Sequence, residues 1–182
     1  MRLWTFQPLH IYKIIQETGV YRCNQELCGM LEYSEKGYKW LSRRMTEKIG
    51  PPPDGVIYPV WAWYLEYGKN EKPDLRKERW SYGNGNEKYV CMELEIPADK
   101  VVLTDFDKWL CILGNSIISN SEEEDDLLRH YSINLPENEW LEYQYKNWER
   151  VFDINPEHDC WISDYNWIQA TFWELMKKIY ER

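Results

Sequence analysis

The residue best suited to chemistry in this sequence is Glu174, in the stretch IQATFWEL near the C-terminus. Aromatic, β-branched and apolar residues surround it. A carboxylate in such a setting can stabilise the positive charge that develops on a sugar when a glycosidic bond breaks. Gln169, in the same stretch, is the candidate for orienting the attacking group. Alternatively, Glu174 is the single carboxylate that a terminal strand exposes on its polar side.

Two further carboxylates, Glu93 and Glu95 in MELEIP, compete with Glu174 for the catalytic role. They alternate with apolar residues, so both point to one face of a predicted strand, opposite Met92 and Leu94. This pattern is also typical of a half-buried strand with a polar outer face. We favour that interpretation for this pair.

Aromatic side chains are unusually abundant, because the chain has 11 Trp and 14 Tyr against 4 Phe. In YPVWAWY, Trp61 and Trp63 alternate to the same face of a predicted strand, while Tyr58 and Tyr64 offer hydroxyl groups. Two indoles on one face can form a platform on which flat ligand rings stack. The alternative is that these indoles fill the core, which is the more frequent fate of such a strand.

Length and net charge limit the number of domains and the kinds of ligand to be expected. The 182 residues suit a single domain, 1–182, with a real core, and a helical insertion is predicted at about 105–150. A net charge of −9 argues against non-specific binding of nucleic acid. A local basic face is predicted in YKWLSRRMTEK around Lys39, Arg43 and Arg44, although an ordinary solvated helix face explains the same pattern.

The cysteines predict a reducing compartment. The chain has 5 scattered cysteines and no signal peptide at its first residues, so we expect reduced thiols and a cytoplasmic location. Charges interrupt every apolar stretch, so no membrane span is predicted. The spacings of Cys23, Cys28, His158 and Cys160 match no common zinc pattern, and no metal site is predicted.

The order of elements predicts an α+β fold with a mostly antiparallel split sheet and helices inserted between the strands. Apolar periodicity and breakers such as PPPDG predict the elements. The predicted strands are 2–6, 55–67 (in two pieces if Pro59 interrupts it), 88–97, 101–105 and a closing strand at 167–176; the predicted helices are 9–19, 37–50, 105–117 and two more between 121 and 152. The polar segment 68–87 is predicted to be a long loop of the kind that often forms a lid.

Several stretches together resemble an uncharacterised bacterial family catalogued as a domain of unknown function. These stretches are LWTFQP, YPVWAWY, PDLR, LEIPADKVVLTDFDKW and QATFWEL. The resemblance runs over nearly the whole chain, and it implies no assigned activity.

The order of elements is also similar to that of the small ADP-ribosyltransferase fold, in which a split sheet binds NAD in a central cleft. The resemblance implies that Glu174, late on a central strand, is the carboxylate beside the reacting ribose. It further implies an NAD-consuming enzyme, a toxin or defence effector that modifies nucleic acid or protein and is restrained by an antitoxin. The first strand has Thr5 and Gln7 where such enzymes have His or Arg.

The same resemblance implies a set of cofactor contacts. Arg76 in PDLR would hold the pyrophosphate, and Thr5 and Gln7 would hold the nicotinamide amide or the ribose. The rings of NAD would stack on the aromatic strand, whose candidates are Tyr58, Trp61, Trp63 and Tyr64. Alternatively, Arg76 pairs with Asp74 in a loop, and Thr5 and Gln7 only precede a turn.

A non-enzymatic function stays open beside the transferase. An aromatic-rich binding module for a peptide, a sugar or a base would use the same tryptophans without a catalytic carboxylate. The two hypotheses differ at Glu174, which a transferase needs in one cleft with Trp61 and Trp63. No phosphate-binding GxxxxGK[ST], no GxGxxG and no GxSxG motif is present.

Overall fold

The structure is a computed structural model that describes residues 1–23, 34–74, 88–155 and 166–177. Its elements, in chain order, are β1 (Arg2–Pro8), α1 (Leu9–Thr18), β2 (Val20–Arg22), α2 (Glu35–Ile49), β3 (Val60–Leu65), β4 (Tyr89–Glu95), β5 (Val102–Asp105), α3 (Phe106–Leu113), α4 (Glu122–Asn134), α5 (Glu137–Trp148), β6 (Ile168–Phe172) and β7 (Glu174–Met176). Short 3-10 helices lie at Ala98–Lys100 and Glu149–Phe152.

The described strands form two antiparallel sheets. The larger sheet has five strands in the order β4-β1-β3-β6-β5, and β2 pairs with β7 in a separate sheet of two strands. Every neighbouring pair in the larger sheet is antiparallel. The predicted α+β class and the antiparallel split sheet are therefore confirmed.

One face of the five-stranded sheet packs against α1 and the small sheet. Ile11 and Ile15 of α1 are buried here, as the helical spacing of apolar residues predicts. Gly19 ends α1 in the left-handed conformation that glycine adopts readily, and its N–H donates to the Ile15 carbonyl. Tyr21 and Leu175 bring the small sheet onto the same core.

A second core joins α2, α3 and α5 and is built largely from tryptophans. Trp40, Trp109 and Trp148 are all nearly inaccessible to solvent. The rings of Trp40 and Trp148 meet edge to face, with centroids 5.5 Å apart. Gly37 lets α2 approach α3 closely, because a Cβ on that residue would lie 2.9 Å from Ile112 Cγ2.

The closing strand predicted for 167–176 is two strands rather than one. Trp173 interrupts it: its buried indole Nε1 donates to the Gly50 carbonyl over 2.9 Å, behind the end of α2. After this break, β7 leaves the larger sheet and pairs with β2. The sequence pattern does not predict β2, because three residues are too few to show a period.

The remaining local predictions are mostly confirmed. The strand predicted for 55–67 begins directly after Pro59, as Val60–Leu65. Two helices begin with a side-chain cap that was not predicted in this detail: the Asp105 side chain accepts a hydrogen bond from Lys108 N at α3, and the Ser121 side chain accepts one from Glu124 N at α4. The C-terminal part of the predicted loop, including Arg76, lies outside the described residues.

The cysteines differ in part from the expectation. Cys91 and Cys111 are free thiols, but Cys23 is disulfide-bonded, so the expectation that all thiols are reduced is wrong. Burial raises the pKa of Cys91 and of Cys111. Among the described helices, none combines the length and apolar character that crossing a membrane requires.

Candidate functional site

A row of directly paired residues crosses the five-stranded sheet on the face opposite α1. Glu93 pairs with Trp4, Trp4 with Trp63, Trp63 with Gln169, and Gln169 with Thr104. Residues that pair directly across antiparallel strands point to the same face. The register therefore brings two of the predicted ring-stacking and catalytic candidates, Trp63 and Gln169, side by side.

Aromatic rings cover this part of the sheet, which we call the ring face (Trp4, Trp61, Trp63, Phe106 and Trp167). The Trp63 ring is the centre of the cluster, with centroid distances of 4.8 Å to Phe106, 5.3 Å to Trp167 and 5.5 Å to Trp61. All three contacts are edge-to-face. Trp63 is buried, whereas Trp61 and Trp167 are partly exposed, so the cluster reaches from the core to the surface.

Buried polar atoms on the ring face lack hydrogen-bond partners. They are Nε1 of Trp4, Nε1 of Trp167, Oγ1 of Thr104 and Oε1 of Gln169. Native proteins rarely leave such atoms unpaired, because each costs about 1–3 kcal/mol relative to a paired one. The unpaired atoms are thus two indole donors, one amide acceptor and one hydroxyl.

Four other predicted cofactor contacts lie away from the ring face. Thr5 alternates with Trp4 and points to the opposite face, where its hydroxyl donates to the Trp61 carbonyl over 2.9 Å. Gln7 Nε2 donates to that same hydroxyl over 2.9 Å. Tyr58 and Tyr64 pack against the first core, and burial raises the pKa of Tyr58. Arg76 lies outside the described residues.

Glu174 begins β7 in the small sheet and not a strand of the larger one, which corrects the expectation of a central strand. Its side chain forms an ion pair with Arg22 of β2, with 2.9 Å between Arg22 Nε and Glu174 Oε2. The side chain of Arg22 is 48% exposed to solvent and that of Glu174 is 27% exposed, so the pair lies at the surface. The break at Trp173 explains why the residue leaves the larger sheet.

Glu174 lines a cavity of about 970 Å³ between α1, the edge strand β4 and β7. We call it the acidic cavity, because Glu93 and Glu95 line it together with Glu174. Trp61 and Trp63 are not among its lining residues. The structure therefore brings Glu174 together with the two competing carboxylates and not with Trp61 and Trp63.

Two cationic side chains also line the acidic cavity. Arg2 is held by Asn70: its Nε donates to Asn70 Oδ1 over 3.1 Å, and its Nη2 donates to the Asn70 carbonyl over 2.8 Å. Lys177 Nζ lies 3.4 Å from the Gln16 carbonyl. The cavity thus combines carboxylates that suit a developing positive charge with two donors that suit a phosphate.

A family model described as a domain of unknown function, DUF3841, matches residues 2–180. The chain belongs to this family. The match confirms the whole-chain resemblance seen in the sequence, and it includes both the ring face and the acidic cavity. No curated protein and no solved structure matches the chain. The resemblance of this DUF3841 chain to ADP-ribosyltransferases stays a prediction.

Four residues on this face of the sheet were not identified from the sequence: Trp4, Thr104, Phe106 and Trp167. Each lies in or beside a strand that was predicted, so its type and position were visible. What a single sequence does not contain is the register between strands, which decides that Trp4 and Thr104 join Trp63 and Gln169. Among the described residues, no three His, Cys, Asp or Glu side chains meet as a metal site.

Proposed function

We propose that this chain binds a small ligand with a flat heteroaromatic group, NAD in the first instance, on the ring face. The observation that carries the proposal is the group of four buried, unpaired polar atoms beside partly exposed indoles. The carboxamide of nicotinamide has an amino group that donates hydrogen bonds and a carbonyl oxygen that accepts them. Its N–H group suits Gln169 Oε1, and its carbonyl suits an indole N–H.

Stacking would supply the rest of the affinity. Trp61 and Trp167 reach the surface, and a ring pair contributes roughly 0.5–1.5 kcal/mol beyond the area that it buries. A binding module for a base or a sugar would use the same contacts, and it predicts binding without turnover. Tyr67, whose centroid is 5.2 Å from that of Trp167, extends the stacking surface outward.

A second candidate function is ADP-ribosyl transfer from NAD to nucleic acid or protein in the acidic cavity. The observation that favours it is the position of Glu174, whose ion pair with Arg22 orients the carboxylate in a cavity of about 970 Å³. There the carboxylate would stabilise the ribose cation as the bond to nicotinamide breaks. Arg2 and Lys177 would bind the pyrophosphate.

The binding proposal is tested by titrating the purified chain with NAD and following tryptophan fluorescence and heat of binding. We expect Gln169→Met to weaken binding at least tenfold. Thr171→Val is the matched control: Thr171 is also buried on β6, but its hydroxyl already donates to the Val102 carbonyl over 3.3 Å. Equal NAD affinity of wild type and Gln169→Met would contradict the proposed site.

Turnover is tested with labelled NAD and total cellular nucleic acid and protein as acceptors. Transfer that is lost in Glu174→Gln and retained in Glu139→Gln, an exposed carboxylate on α5, would support the reaction in the acidic cavity. Binding of NAD without release of nicotinamide would support the binding module. Wild-type protein that neither binds nor consumes NAD would overturn both candidates for this ligand.

A further inference from the structure

A second cavity, of about 360 Å³, lies between α2 and α5, apart from the ring face and the acidic cavity. We call it the basic cavity. Three of its side chains are cationic and one is a carboxylate; the lining residues are Glu35, Lys36, Lys39, Trp40, Arg43 and Tyr145. This local excess of positive charge stands out in a chain whose net charge is −9.

Only one of the three cations has a carboxylate partner among the described residues. Lys39 Nζ pairs with Glu35 Oε1 at 2.8 Å. Lys36 Nζ instead donates to the neutral amide oxygen of Gln144 over 2.6 Å and lies 5.4 Å from the ring centroid of Tyr145. Arg43 lies over the same ring, with Cζ 5.9 Å from its centroid. Neither Lys36 nor Arg43 forms an ion pair within this part of the chain.

Within the described ranges, the charges of Lys36 and Arg43 are therefore not balanced by a hydrogen-bonded carboxylate. Burial lowers the pKa of Lys36, and the charge of Glu137 opposes that effect. A partly buried ammonium without a hydrogen-bonded carboxylate is costly, and a bound anion would remove the cost. Trp40 adds an independent sign of a ligand. It is 4% exposed, and its indole Nε1 is buried without a hydrogen-bond partner.

We propose that the basic cavity binds the phosphate group of a small phosphate ester. The Arg43 guanidinium can hold two phosphate oxygens at once, and Lys36 supplies a second charge-assisted donor. The Trp40 N–H suits a third oxygen. A volume of about 360 Å³ exceeds what a bare phosphate needs and leaves room for an organic group of sugar size. Glu35 stays neutralised by Lys39, so it does not repel the anion strongly.

The test uses the full chain with inorganic phosphate and ribose 5-phosphate as probes, against sodium chloride at equal ionic strength. Isothermal titration and melting temperature are measured for wild type, Arg43→Gln and Lys48→Gln. Lys48 is the matched control, because it lies on the same helix with its Nζ 4.2 Å from the Phe152 ring centroid, outside the cavity. Arg43 is exposed, so its replacement leaves the fold intact.

We expect both probes to bind wild type and Lys48→Gln, and Arg43→Gln to bind at least tenfold more weakly. Tighter binding of ribose 5-phosphate than of phosphate would support the ester, since the organic group then fills the remaining volume. Equal binding of the two probes would overturn the ester, and it would leave an adventitious ion site only. An absence of binding beyond the chloride control, or unchanged binding in Arg43→Gln, would overturn the proposal entirely.

Discussion

At the scale of single residues, replacing Gln169 should have opposite effects on stability and on ligand binding, because its side-chain oxygen is buried without a hydrogen-bond partner in the described part of the chain. Removing a buried acceptor that has no partner leaves the folded state unharmed, because the desolvation cost disappears with it. Gln169→Met should therefore leave the free energy of unfolding unchanged or raise it, while it weakens ligand binding. Urea denaturation of the ligand-free protein measures the first effect.

Thr171→Val again provides the comparison. Its buried hydroxyl has a partner in the Val102 carbonyl, so we expect this replacement to cost about 0.5–1.5 kcal/mol. If Gln169→Met destabilises the protein as much as Thr171→Val does, then Gln169 has a structural role and the argument for a ligand at this face fails.

The Glu174–Arg22 pair should matter little for stability. Both side chains are partly exposed, and ion pairs of this kind contribute about 0–1 kcal/mol. We expect Glu174→Gln, Arg22→Gln and the double variant to show a coupling energy below about 1 kcal/mol in urea denaturation. A larger value would mean that loss of activity in Glu174→Gln cannot be separated from loss of folded protein.

The sequence predicts well which residues of one strand share a face, and it predicts poorly which residues of distant segments come together. Strand alternation correctly predicts that Trp61 and Trp63 share a face, because that pattern is local. The direction of Glu174 depends on a strand break at Trp173, where the indole donates a hydrogen bond to the carbonyl of the distant Gly50. No pattern near Glu174 contains that information.

At the scale of elements, the packing of α2 on α3 depends on the missing side chain of Gly37. Alanine normally stabilises a helix relative to glycine by about 1 kcal/mol. Here its Cβ would meet Ile112 Cγ2 at 2.9 Å and the Ile112 carbonyl oxygen at 3.2 Å. We expect Gly37→Ala to destabilise the protein by about 1–3 kcal/mol, because the crowding outweighs the helical preference.

Gly114→Ala is the matched control for this effect. A Cβ at Gly114 would find its nearest neighbour at 3.5 Å, an ordinary contact. Thermal and urea unfolding should therefore show a much smaller change than in Gly37→Ala. A stabilised Gly37→Ala protein would show that α2 and α3 can separate without cost.

Helix ends illustrate which elements a sequence can predict. The caps at Asp105 and Ser121 are local interactions, because each joins a side chain to a backbone N–H three residues further along the chain. The pairing of β2 with β7 joins residues such as Arg22 and Glu174, far apart in sequence and in strands of three residues each. Both strands pack on the first core through Tyr21 and Leu175. Three residues alone do not predict a strand from their sequence pattern.

At the scale of the whole molecule, acid should weaken the attachment of α4. Glu124 Oε1 accepts a hydrogen bond from Arg150 Nη2 over 2.7 Å, and this hydrogen bond lowers the pKa of Glu124 below its ordinary 4.5, while burial opposes the shift. A group whose folded pKa is lowered contributes its full stability above the unfolded value, and the contribution disappears as the pH falls through the folded value.

The unfolding free energy should accordingly fall less steeply with acid in Glu124→Gln than in wild type. Urea denaturation between about pH 7 and about pH 3 measures the slope, with the exposed Glu142→Gln as control. Parallel curves for wild type and Glu124→Gln would refute the role of this carboxylate in acid sensitivity.

The strand break at Trp173 also has a mechanical consequence. One continuous stretch of backbone belongs to both sheets, and its midpoint is clamped to the end of α2 through the Trp173–Gly50 hydrogen bond. Trp173 therefore links the junction of the two sheets to the end of α2. Because β7 lines the acidic cavity and α2 lines the basic cavity, this single hydrogen bond connects the walls of the two cavities.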